Sequence, residues 1–194
     1  MGKGFRRRGE RDPMRERGDL RRTRPVPLPY GVASAVLRNG LLQSVEWERS
    51  LRELEASLSK RFPEAQVIRP EECEAGLLLL AYSEGRKVTP EDVAAIRLDW
   101  NLAGRFQRNV LKTLVEVPYG KTITYGGLAE RIGRGQAARA VGGALAKNPW
   151  PVVVPCHRVV GTGGKMVGFG KGVEAKERLL RFEERNRSRP ARSR

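Results

Sequence analysis

Histidine and cysteine are scarce in this chain of 194 residues, which has one histidine and two cysteines. A structural zinc site needs four ligands, so His157, Cys73 and the distant Cys156 fall short of one unless carboxylates complete it. We therefore expect no metal and no other cofactor. The low cysteine count is also typical of a cytoplasmic protein.

Long apolar runs are missing as well. The longest apolar stretch, residues 76–82, contains four leucines and is far shorter than the roughly 20 residues that cross a bilayer. The amino-terminal segment is rich in arginine and aspartate and lacks the apolar middle of a secretory signal. These absences predict a cytoplasmic protein without a membrane partner.

Acidic side chains are too few to balance the basic ones, since 22 Asp and Glu face 38 Lys and Arg, a formal net charge of +16. Basic groups release counterions when they bind a polyanion, which favours nucleic acid as the partner and an anionic membrane second. Much of the charge lies in the two tails, so a merely solubilising surface is the alternative interpretation.

Composition and periodicity divide the chain into four segments. Residues 1–24 alternate arginine with acidic residues, hold almost no apolar side chains and predict a disordered basic arm. A small amino-terminal α/β domain with a connector is expected over 25–101, and a mostly helical domain over 102–184. A basic tail is expected over 185–194.

Turn and periodicity signals predict the elements of the first domain. Asn39-Gly40, between the apolar runs Val32–Leu37 and Leu41–Trp47, is typical of a two-residue β-hairpin. The other expected elements are helices over Ser50–Phe62 and Pro70–Tyr82, a strand over Gln66–Ile68 and an edge strand over Ala94–Leu98.

The second domain contains two predicted helices joined by a glycine-containing turn. After a helix over Phe106–Val117, Thr124 can cap a helix over Tyr125–Ile132, and a second helix follows over Gln136–Lys147. This is the helix-turn-helix arrangement, which also occurs in many proteins that bind no DNA.

The outward face of the second helix carries small side chains and a long cation, Arg139. Gly142 and Gly143 each cost the helix about 1 kcal/mol relative to alanine. We therefore expect a partner to come close to the backbone there, with close packing against another helix as the alternative.

Cys156 lies within an apolar segment, Val152–Val160, that predicts a buried strand interrupted at Pro155. The reactive form of cysteine is the thiolate, and His157 and Arg158 can supply the base or the positive charge that deprotonation requires. The alternatives are an inert buried cysteine beside a core histidine and a hydrolytic Cys-His pair.

The segment 155–159, Pro-Cys-His-Arg-Val, resembles the active-site motif of the O6-alkylguanine-DNA alkyltransferases. Tyr125, the run 138–143 and Asn148-Pro149 before it, and the segment 176–180 after it, are similar to further motifs of this family, in order and at family spacing. The resemblance covers about residues 106–183, and the amino-terminal half is similar in layout alone. It implies an α+β protein, with a small RNase H-like α/β domain followed by a mostly helical, winged helix-turn-helix alkyltransferase domain.

The resemblance implies direct reversal of DNA damage. The second helix would enter the minor groove of double-stranded DNA, Arg139 would replace a flipped O6-alkylguanine in the base stack, and Tyr125 would assist the rotation. O4-alkylthymine is a second candidate lesion. The alkyl group would pass to Cys156, whose proton leaves through water to His157, oriented by Glu183. Because the thioether does not react further, each molecule would act once.

Further roles follow from the same resemblance. Asn148 would tie the recognition helix to the active-site segment, and the backbone carbonyls of Cys156 and Val159 would receive the guanine amino group. The loop 161–172 would form a wing that closes the pocket, lined by Met166, Phe169 and Gly170. Many relatives have Tyr and Ser at the last two positions, so this chain keeps the apolar wall but not their hydroxyl groups. The other expected DNA contacts are Gly126, Gln107, Arg134, Ala138, Gly142 and Thr162.

Three competing functions place different demands on Cys156. A module that flags lesions without repairing them would lack this cysteine, and a cysteine hydrolase or isomerase would turn over a small substrate without DNA. A binder that uses only its tails would tolerate Cys156→Ala. We expect a monomer whose arginine-rich ends add sequence-independent affinity and cooperative loading on DNA.

Overall fold

The computed structural model describes residues 18–189. A mixed five-stranded sheet with its helices forms the first half, and the second half is mostly helical, which confirms the expected α+β architecture. Within the described range, no helix is both long and apolar enough to span a bilayer. Most of the predicted basic arm, residues 1–17, and the end of the predicted tail, 190–194, lie outside the described residues.

The strands of the sheet are β1 (Leu20–Thr23), β2 (Val26–Pro27), β3 (Val32–Arg38), β4 (Leu41–Glu48) and β5 (Gln66–Ile68). Strand β3 pairs with β4 on one side and with β1 and β2 on the other. Strand β5 runs parallel to β1, and the other pairs are antiparallel. The sheet therefore has the order β4, β3, β1 with β2, β5.

The β3–β4 hairpin confirms the prediction from Asn39-Gly40. Both turn residues have positive φ, 52° for Asn39 and 73° for Gly40. This backbone twist matches the twist of the flanking strands, and Asn-Gly adopts it at low cost. The turn thereby fixes the register that places Trp47 on the buried face of β4.

The helices of the first half are α1 (Leu51–Arg61), α2 (Glu74–Ser83) and the short α3 (Pro90–Ala94), with 3-10 turns at Pro70–Glu72 and Trp100–Leu102. Helix α1 begins at a capping box, in which Ser50 accepts from the backbone of Glu53 and Glu53 accepts from that of Ser50. Its Leu54 and Leu58 are buried against Val36 of the sheet.

Two predictions for the first half are wrong. The sequence predicts a disordered arm up to residue 24, but Leu20–Thr23 form β1, where Arg22 pairs with Glu55 at 3.0 Å and Thr23 is fully buried. The sequence also predicts an edge strand over Ala94–Leu98. Instead α3 extends to Ala94, because a capping box at Thr89 starts a helix there, and of the predicted strand Leu98 alone forms a bridge, to Leu42.

The elements of the second half are α4 (Arg105–Val115), α5 (Tyr125–Arg131), α6 (Ala138–Ala146), α7 (Val173–Arg185), β6 (Ile123–Thr124) and β7 (Val159–Val160). Thr124 caps α5 by accepting a hydrogen bond from Gly127, and Gly133, at φ 70°, begins the turn toward α6. The predicted helix-turn-helix is confirmed.

The strand predicted over Val152–Val160 is largely wrong. Val152 has φ 72°, Cys156–Arg158 form a 3-10 turn, Val154 forms an isolated bridge with Pro151, and β7 pairs in parallel with β6. Pro151 and Pro155 cannot donate to a ladder, so the chain bends at both points. The expectation that Cys156 lies at an irregular point next to Pro155 is confirmed.

Trp150 joins the two halves of the protein. Its Nε1 donates to the carbonyl of Leu42 at 3.0 Å, and the backbone N of Val45 donates to Pro149 at 2.9 Å. One buried apolar cluster extends from the sheet to α7 across this contact. The segment before Cys156 is therefore fixed to the sheet of the first half, and the domain boundary near Asn101 stays a prediction.

Candidate active site

A cavity of about 810 Å³ opens between the helix-turn-helix and the wing, residues 161–172. Helix α6 forms one wall, the wing forms the opposite wall, and Cys156 lies between them with 7% of its surface exposed. The lining residues are Tyr125, Ala138, Arg139, Gly142, Leu145, Ala146, Asn148, Pro151, Cys156, Val167, Gly168, Phe169, Gly170 and Lys171.

Asn148 holds the cysteine segment in place. Its Nδ2 donates to the carbonyl of Val154 at 2.9 Å and to Sγ of Cys156 at 3.2 Å, and its Oδ1 accepts from the backbone N of Trp150 at 3.0 Å. One side chain thus connects the end of α6 to the turn that carries the thiol. This geometry brings Asn148 and Cys156 together, as their expected roles require.

Cys156 is protonated in the resting protein. Burial raises the pKa of its thiol, while the hydrogen bond from Asn148 and the ammonium of Lys176 act in the opposite direction without overcoming burial. Formation of the thiolate therefore needs a base, or a substrate that changes the surroundings of the sulfur.

His157 follows Cys156 in the 3-10 turn and is fully buried. Its Nε2 is 2.6 Å from Oε1 of Glu183, and because a carboxylate can only accept, Nε2 carries the proton. Nδ1 has no hydrogen-bond partner among residues 18–189 and is left with its lone pair free. Burial lowers the pKa of His157, so the imidazole is neutral at pH 7 and able to accept a proton at Nδ1.

Glu183 is the most heavily hydrogen-bonded side chain of the site. Its oxygens accept from Nε of Arg158 at 3.0 Å, from Nη2 of Arg158 at 3.1 Å and from the backbone N of Gly120 at 2.8 Å, besides His157. Burial alone would raise the pKa of Glu183, but His157 and Arg158 outweigh it and lower the pKa to about 2. The carboxylate is therefore ionised throughout the physiological range.

The sequence suggests Arg158 as a charge that activates the thiol, and this interpretation is wrong. The Arg158 guanidinium is nearly fully buried, pairs with Glu183 and donates from Nη1 to the carbonyl of Val117 at 2.7 Å. Its charge offsets that of the carboxylate and acts to lower the pKa of His157. Arg158 thus favours the neutral, proton-accepting imidazole.

Lys176 is a functional candidate that sequence reasoning missed. It is fully buried, its Nζ donates to the carbonyl of Val167 at 2.6 Å, and it lies 5.6 Å from the centre of the Tyr125 ring. Its ammonium acts on the Cys156 thiol. Lysines are rarely fully buried, so the residue type gave no indication that Lys176 lies inside the protein. The available signal was its position next to Ala175 in an amphipathic helix.

Tyr125 connects the first helix of the helix-turn-helix to the wing. Its hydroxyl donates to the carbonyls of Gly168 at 2.8 Å and Val167 at 3.2 Å. Gly168 has φ 55°, and a Cβ there would lie 2.9 Å from the Tyr125 hydroxyl oxygen. Glycine at this position is what allows the wing to approach Tyr125.

Gly143 lies on the exposed face of α6, and the neighbouring Gly142 is partly buried beside Tyr125. A Cβ added to Gly143 would meet open space, and one added to Gly142 would make ordinary contact with Tyr125 at 3.7 Å. Close packing against another helix, the alternative for these glycines, is therefore excluded for Gly143. Arg139 is exposed on the same face and forms no hydrogen bond or ion pair with the described residues.

Several predicted site residues lie outside the cavity. Met166 does not line it, because the wing turns its Val167–Lys171 segment toward Cys156 instead, and Val159 is buried in β7. Gln107 caps the end of α6, donating to the carbonyls of Ala144 at 3.1 Å and Lys147 at 2.8 Å. Gly126, Arg134 and Thr162 also lie outside the cavity, in α5, in the turn and in the wing.

The wing rests on the sheet of the first half. The rings of Phe169 and Trp47 meet edge to face with centroids 6.0 Å apart, and Nζ of Lys171 lies 3.1 Å from Oε1 of Glu48. Phe169, which belongs to the apolar wall of the cavity, is thus supported by Trp47, more than 120 residues earlier in the chain.

Comparison with known proteins places the second half in a defined group. The family profile described as "6-O-methylguanine DNA methyltransferase, DNA binding domain" matches residues 105–185, from the start of α4 to the end of α7. The methylated-DNA--protein-cysteine methyltransferase of Mycolicibacterium paratuberculosis is 52% identical over 81 residues, 42% of this chain and 49% of that protein. The protein of the same name from Shigella flexneri is 56% identical over 78 residues, 40% and 46% of the two chains. The matched segment therefore spans about half the length of these curated relatives.

Solved structures extend the similarity to the whole fold. A variant of the Mycobacterium tuberculosis O6-methylguanine methyltransferase is 31% identical with a TM-score of 0.66, and the match covers 90% of this chain and 96% of that one. Mycobacterium tuberculosis OGT in complex with DNA has 29% identity and a TM-score of 0.67, over 88% and 96% of the two chains.

Proposed function

The chain belongs to the family of O6-alkylguanine-DNA alkyltransferases, the methylated-DNA--protein-cysteine methyltransferases, and on that basis we propose that it removes the alkyl group from O6-alkylguanine in double-stranded DNA and keeps it on Cys156. O4-alkylthymine is a further candidate substrate. The observation that carries the proposal is the thiol at the cavity wall, held by Asn148 at 3.2 Å, whose next residue, His157, forms a buried pair with Glu183 at 2.6 Å.

Helix α6 is the proposed DNA-contacting element. Apart from Arg139 its exposed face carries small residues, so the helix backbone can approach the minor groove closely, and no residue within 18–189 pairs with Arg139 to hold it away from DNA. Arg139 occupies the space in the base stack that the flipped nucleotide leaves. Flipping is necessary because the reacting carbon is otherwise stacked within the duplex.

The supporting DNA contacts are proposed on the same side of the molecule. Ala138 and Gly142 lie on α6 and line the cavity. Gly126, Arg134 and Thr162 lie in α5, the turn and the wing, where backbone and side-chain donors can reach phosphates. Gln107 acts on DNA through α6, whose end it caps.

Tyr125 has a proposed role in positioning the nucleotide. In the unbound protein its hydroxyl is committed to the carbonyls of the wing. Binding of DNA exchanges these bonds for contacts with the 3′ phosphate and N3 of the flipped base. The wing then closes the pocket with Phe169 and Gly170, and the carbonyls of Cys156 and Val159 accept from the guanine amino group.

Transfer of the alkyl group begins with deprotonation of Cys156. The thiol proton passes through a water molecule to Nδ1 of His157, and the ionised Glu183 stabilises the resulting imidazolium. The sulfur attacks the alkyl carbon, the bond from that carbon to O6 breaks, and its electron pair stays with the guanine. The proton held by His157 returns to the guanine, which leaves unmodified.

The product is a thioether on a buried cysteine. A thioether sulfur is a poor leaving group, so the protein is consumed in the reaction and acts as a single-turnover reagent. We propose a monomer that acts without a cofactor, in the compartment that holds the DNA, which agrees with the cytoplasmic location expected from the sequence.

Mass spectrometry of the protein after incubation with a duplex containing one O6-methylguanine tests the proposal. We expect one added methyl group on the peptide that contains Cys156, matched by restored guanine and absent from Cys156→Ala. Cys73, which is half-buried on the other half of the chain, serves as an internal control and should stay unmodified. Lesion-selective binding without an adduct would favour a flagging module, and turnover of a small ester without DNA would favour a hydrolase.

A further inference from the structure

Helix α2 of the first half contributes a hydroxyl group to the buried carboxylate of the second half. Tyr82 is fully buried, and its hydroxyl donates to Oε1 of Glu183 at 3.2 Å across 101 residues of sequence. The same oxygen accepts from Nε2 of His157 at 2.6 Å. The amino-terminal half of the chain therefore touches the proton relay directly.

We propose that Tyr82 is a positioning residue for alkyl transfer, which orients the Glu183 carboxylate and weakens it as an acceptor so that His157 stays neutral with its proton on Nε2. This inference rests on the proposed function, because it assigns a role in the deprotonation of Cys156. Tyr82 itself touches neither the substrate nor the sulfur, and its effect passes through Glu183 and His157.

The ring of Tyr82 contacts the same pair. It meets the His157 ring edge to face, with centroids 6.2 Å apart and planes at 74°. It also packs against Tyr119 at 6.0 Å and against Phe182 of α7 at 5.7 Å. Because both the ring and the hydroxyl are fixed, the direction of the donated hydrogen bond is fixed as well.

The donors around Glu183 divide between its two oxygens. Oε1 accepts from His157, from Tyr82 and from Nη2 of Arg158, Oε2 accepts from the backbone N of Gly120, and Nε of Arg158 lies 3.0 Å from Oε2 and 3.3 Å from Oε1. Each donated hydrogen bond reduces the negative charge on the carboxylate oxygens that His157 faces. Removal of one donor on Oε1 leaves the imidazole facing a stronger anion, which favours the charged imidazolium.

The charged and titratable groups that face this pair come from four segments. They are Tyr82 of α2, Tyr119 of the loop before β6, Arg158 of the 3-10 turn, and Lys176 of α7. Burial raises the pKa of Tyr82 well above its usual value, so its hydroxyl keeps its proton and stays a donor over the working pH range. Removal of this donor should raise the pKa of His157.

The single histidine of the chain makes the test direct, since every imidazole signal of untagged protein belongs to His157. The long-range proton–nitrogen spectrum reports which ring nitrogen carries the proton, and a titration reports the pKa. For Tyr82→Phe we expect a rise in the His157 pKa of about half a unit, while the neutral ring keeps its proton on Nε2 because the stronger acceptor still faces that nitrogen. These measurements need no alkylated substrate, so they succeed or fail independently of the proposed function.

Tyr30→Phe is the matched control. The Tyr30 hydroxyl also bonds a carboxylate of α7 from the first half, Glu174 at 3.4 Å, but on the exposed surface. It should leave the His157 spectrum unchanged. Unfolding midpoints of both variants show whether either change is a general loss of packing.

The rate of single-turnover alkyl transfer to Cys156 gives the second readout. If wild type transfers the group, its rate should rise with pH along an acid limb set by His157, and Tyr82→Phe should shift that limb to higher pH. At pH values on the limb, the rate of Tyr82→Phe should be about threefold lower than that of wild type, and the difference should be smaller on the plateau at higher pH. An identical His157 titration and an identical rate profile in wild type, Tyr82→Phe and Tyr30→Phe would overturn the proposal and leave Tyr82 as a core aromatic. Absence of transfer by wild type would contradict the proposed function alone.

Discussion

Arg158 donates two hydrogen bonds to the carboxylate of Glu183, from Nε at 3.0 Å and from Nη2 at 3.1 Å, in a pair that is almost fully buried. A buried charge that loses its partner is strongly destabilising, whereas a paired one is tolerated. The relay is therefore part of the structural core of the second half. Loss of Glu183 should affect folding as well as proton transfer.

Glu183→Gln should lower the free energy of unfolding by about 3 kcal/mol, because it leaves the Arg158 guanidinium buried without an opposite charge. Urea unfolding followed by tryptophan fluorescence measures this loss. Glu174→Gln is the control, since Glu174 pairs with Arg178 on the exposed surface of the same helix and should change stability by less than about 1 kcal/mol. Equal effects of the two substitutions would contradict the buried-pair account.

Acidification should destabilise the protein through both members of the relay. The pKa of Glu183 is lowered to about 2, so its contribution is present above the unfolded value of about 4.3 and is lost as the pH falls toward 2. Burial lowers the pKa of His157, so the folded state also binds fewer protons than the unfolded chain below about pH 6.5. Both effects therefore lower the free energy of unfolding as the pH falls.

Glu183 alone should account for a loss of about 3 kcal/mol in the free energy of unfolding once the pH falls below its folded pKa. This loss should set in at about pH 5. Urea unfolding at a series of pH values gives the slope. Glu183→Gln should flatten the part of the curve below about pH 5. A wild-type curve that is flat between neutral and acidic pH would disprove the assignment of an ionised buried Glu183.

Local signals in the sequence sufficed for much of the fold. Asn39-Gly40 predicts the hairpin turn because both residues tolerate positive φ, and Thr124 predicts a helix start because its side chain satisfies a free backbone N–H group. Leu20–Thr23 was missed because its pairing partners, Arg38 and Ile68, are distant in sequence and one of its sides is polar.

The site was predictable where residue identity carries the chemistry, as in Cys156 and His157. It was not predictable where a long-range contact decides the role. Arg158 pairs with Glu183 rather than with the thiol, and Tyr82 reaches the relay from the other half of the protein. Nothing local marks these partners, because each depends on how α2 and α7 pack against the turn after Pro155.

Lys176→Met should slow transfer to Cys156 by up to about tenfold, because the buried ammonium acts to lower the pKa of the thiol and its removal allows that pKa to rise. The substitution also removes the bond from Nζ to the wing at Val167. Thiol reactivity toward iodoacetamide as a function of pH measures the shift. Lys171→Met is the control, since Lys171 lies on the same wing but pairs with Glu48 at the surface.

These thiol titrations need a single reactive cysteine, which Cys73→Ser provides. Sγ of Cys73 accepts from the backbone N of Gly76 at the start of α2, and a serine hydroxyl performs the same capping role. If Lys176→Met slows transfer but leaves the thiol pKa unchanged, then Lys176 acts only as a structural support for the wing.

The arginine-rich amino terminus should add affinity for DNA without sequence preference. Deletion must stop at residue 17, because β1 begins at Leu20 and pairs with two strands. Residues 1–17 contain seven basic and three acidic side chains, so their removal should reduce the slope of log affinity against log salt concentration. An unchanged slope would show that the segment makes no phosphate contacts, and unchanged binding stoichiometry would show that it does not support cooperative loading.

Arg139→Ala should separate recognition of duplex DNA from chemistry. Arg139 is exposed on α6 at the edge of the cavity, away from the relay, so its loss should leave the reaction of Cys156 with free O6-alkylguanine nearly unchanged. On a duplex the flipped state loses its substitute in the base stack, and the rate should fall by about ten- to a hundredfold, since unstacking costs a few kcal/mol.

Arg52→Ala, which removes an exposed arginine from α1, controls for the loss of one positive charge. The ratio of the duplex rate to the free-base rate is the informative quantity. Equal losses on both substrates would place Arg139 in the transfer step rather than in flipping, and no loss on either would remove α6 from the proposed DNA interface.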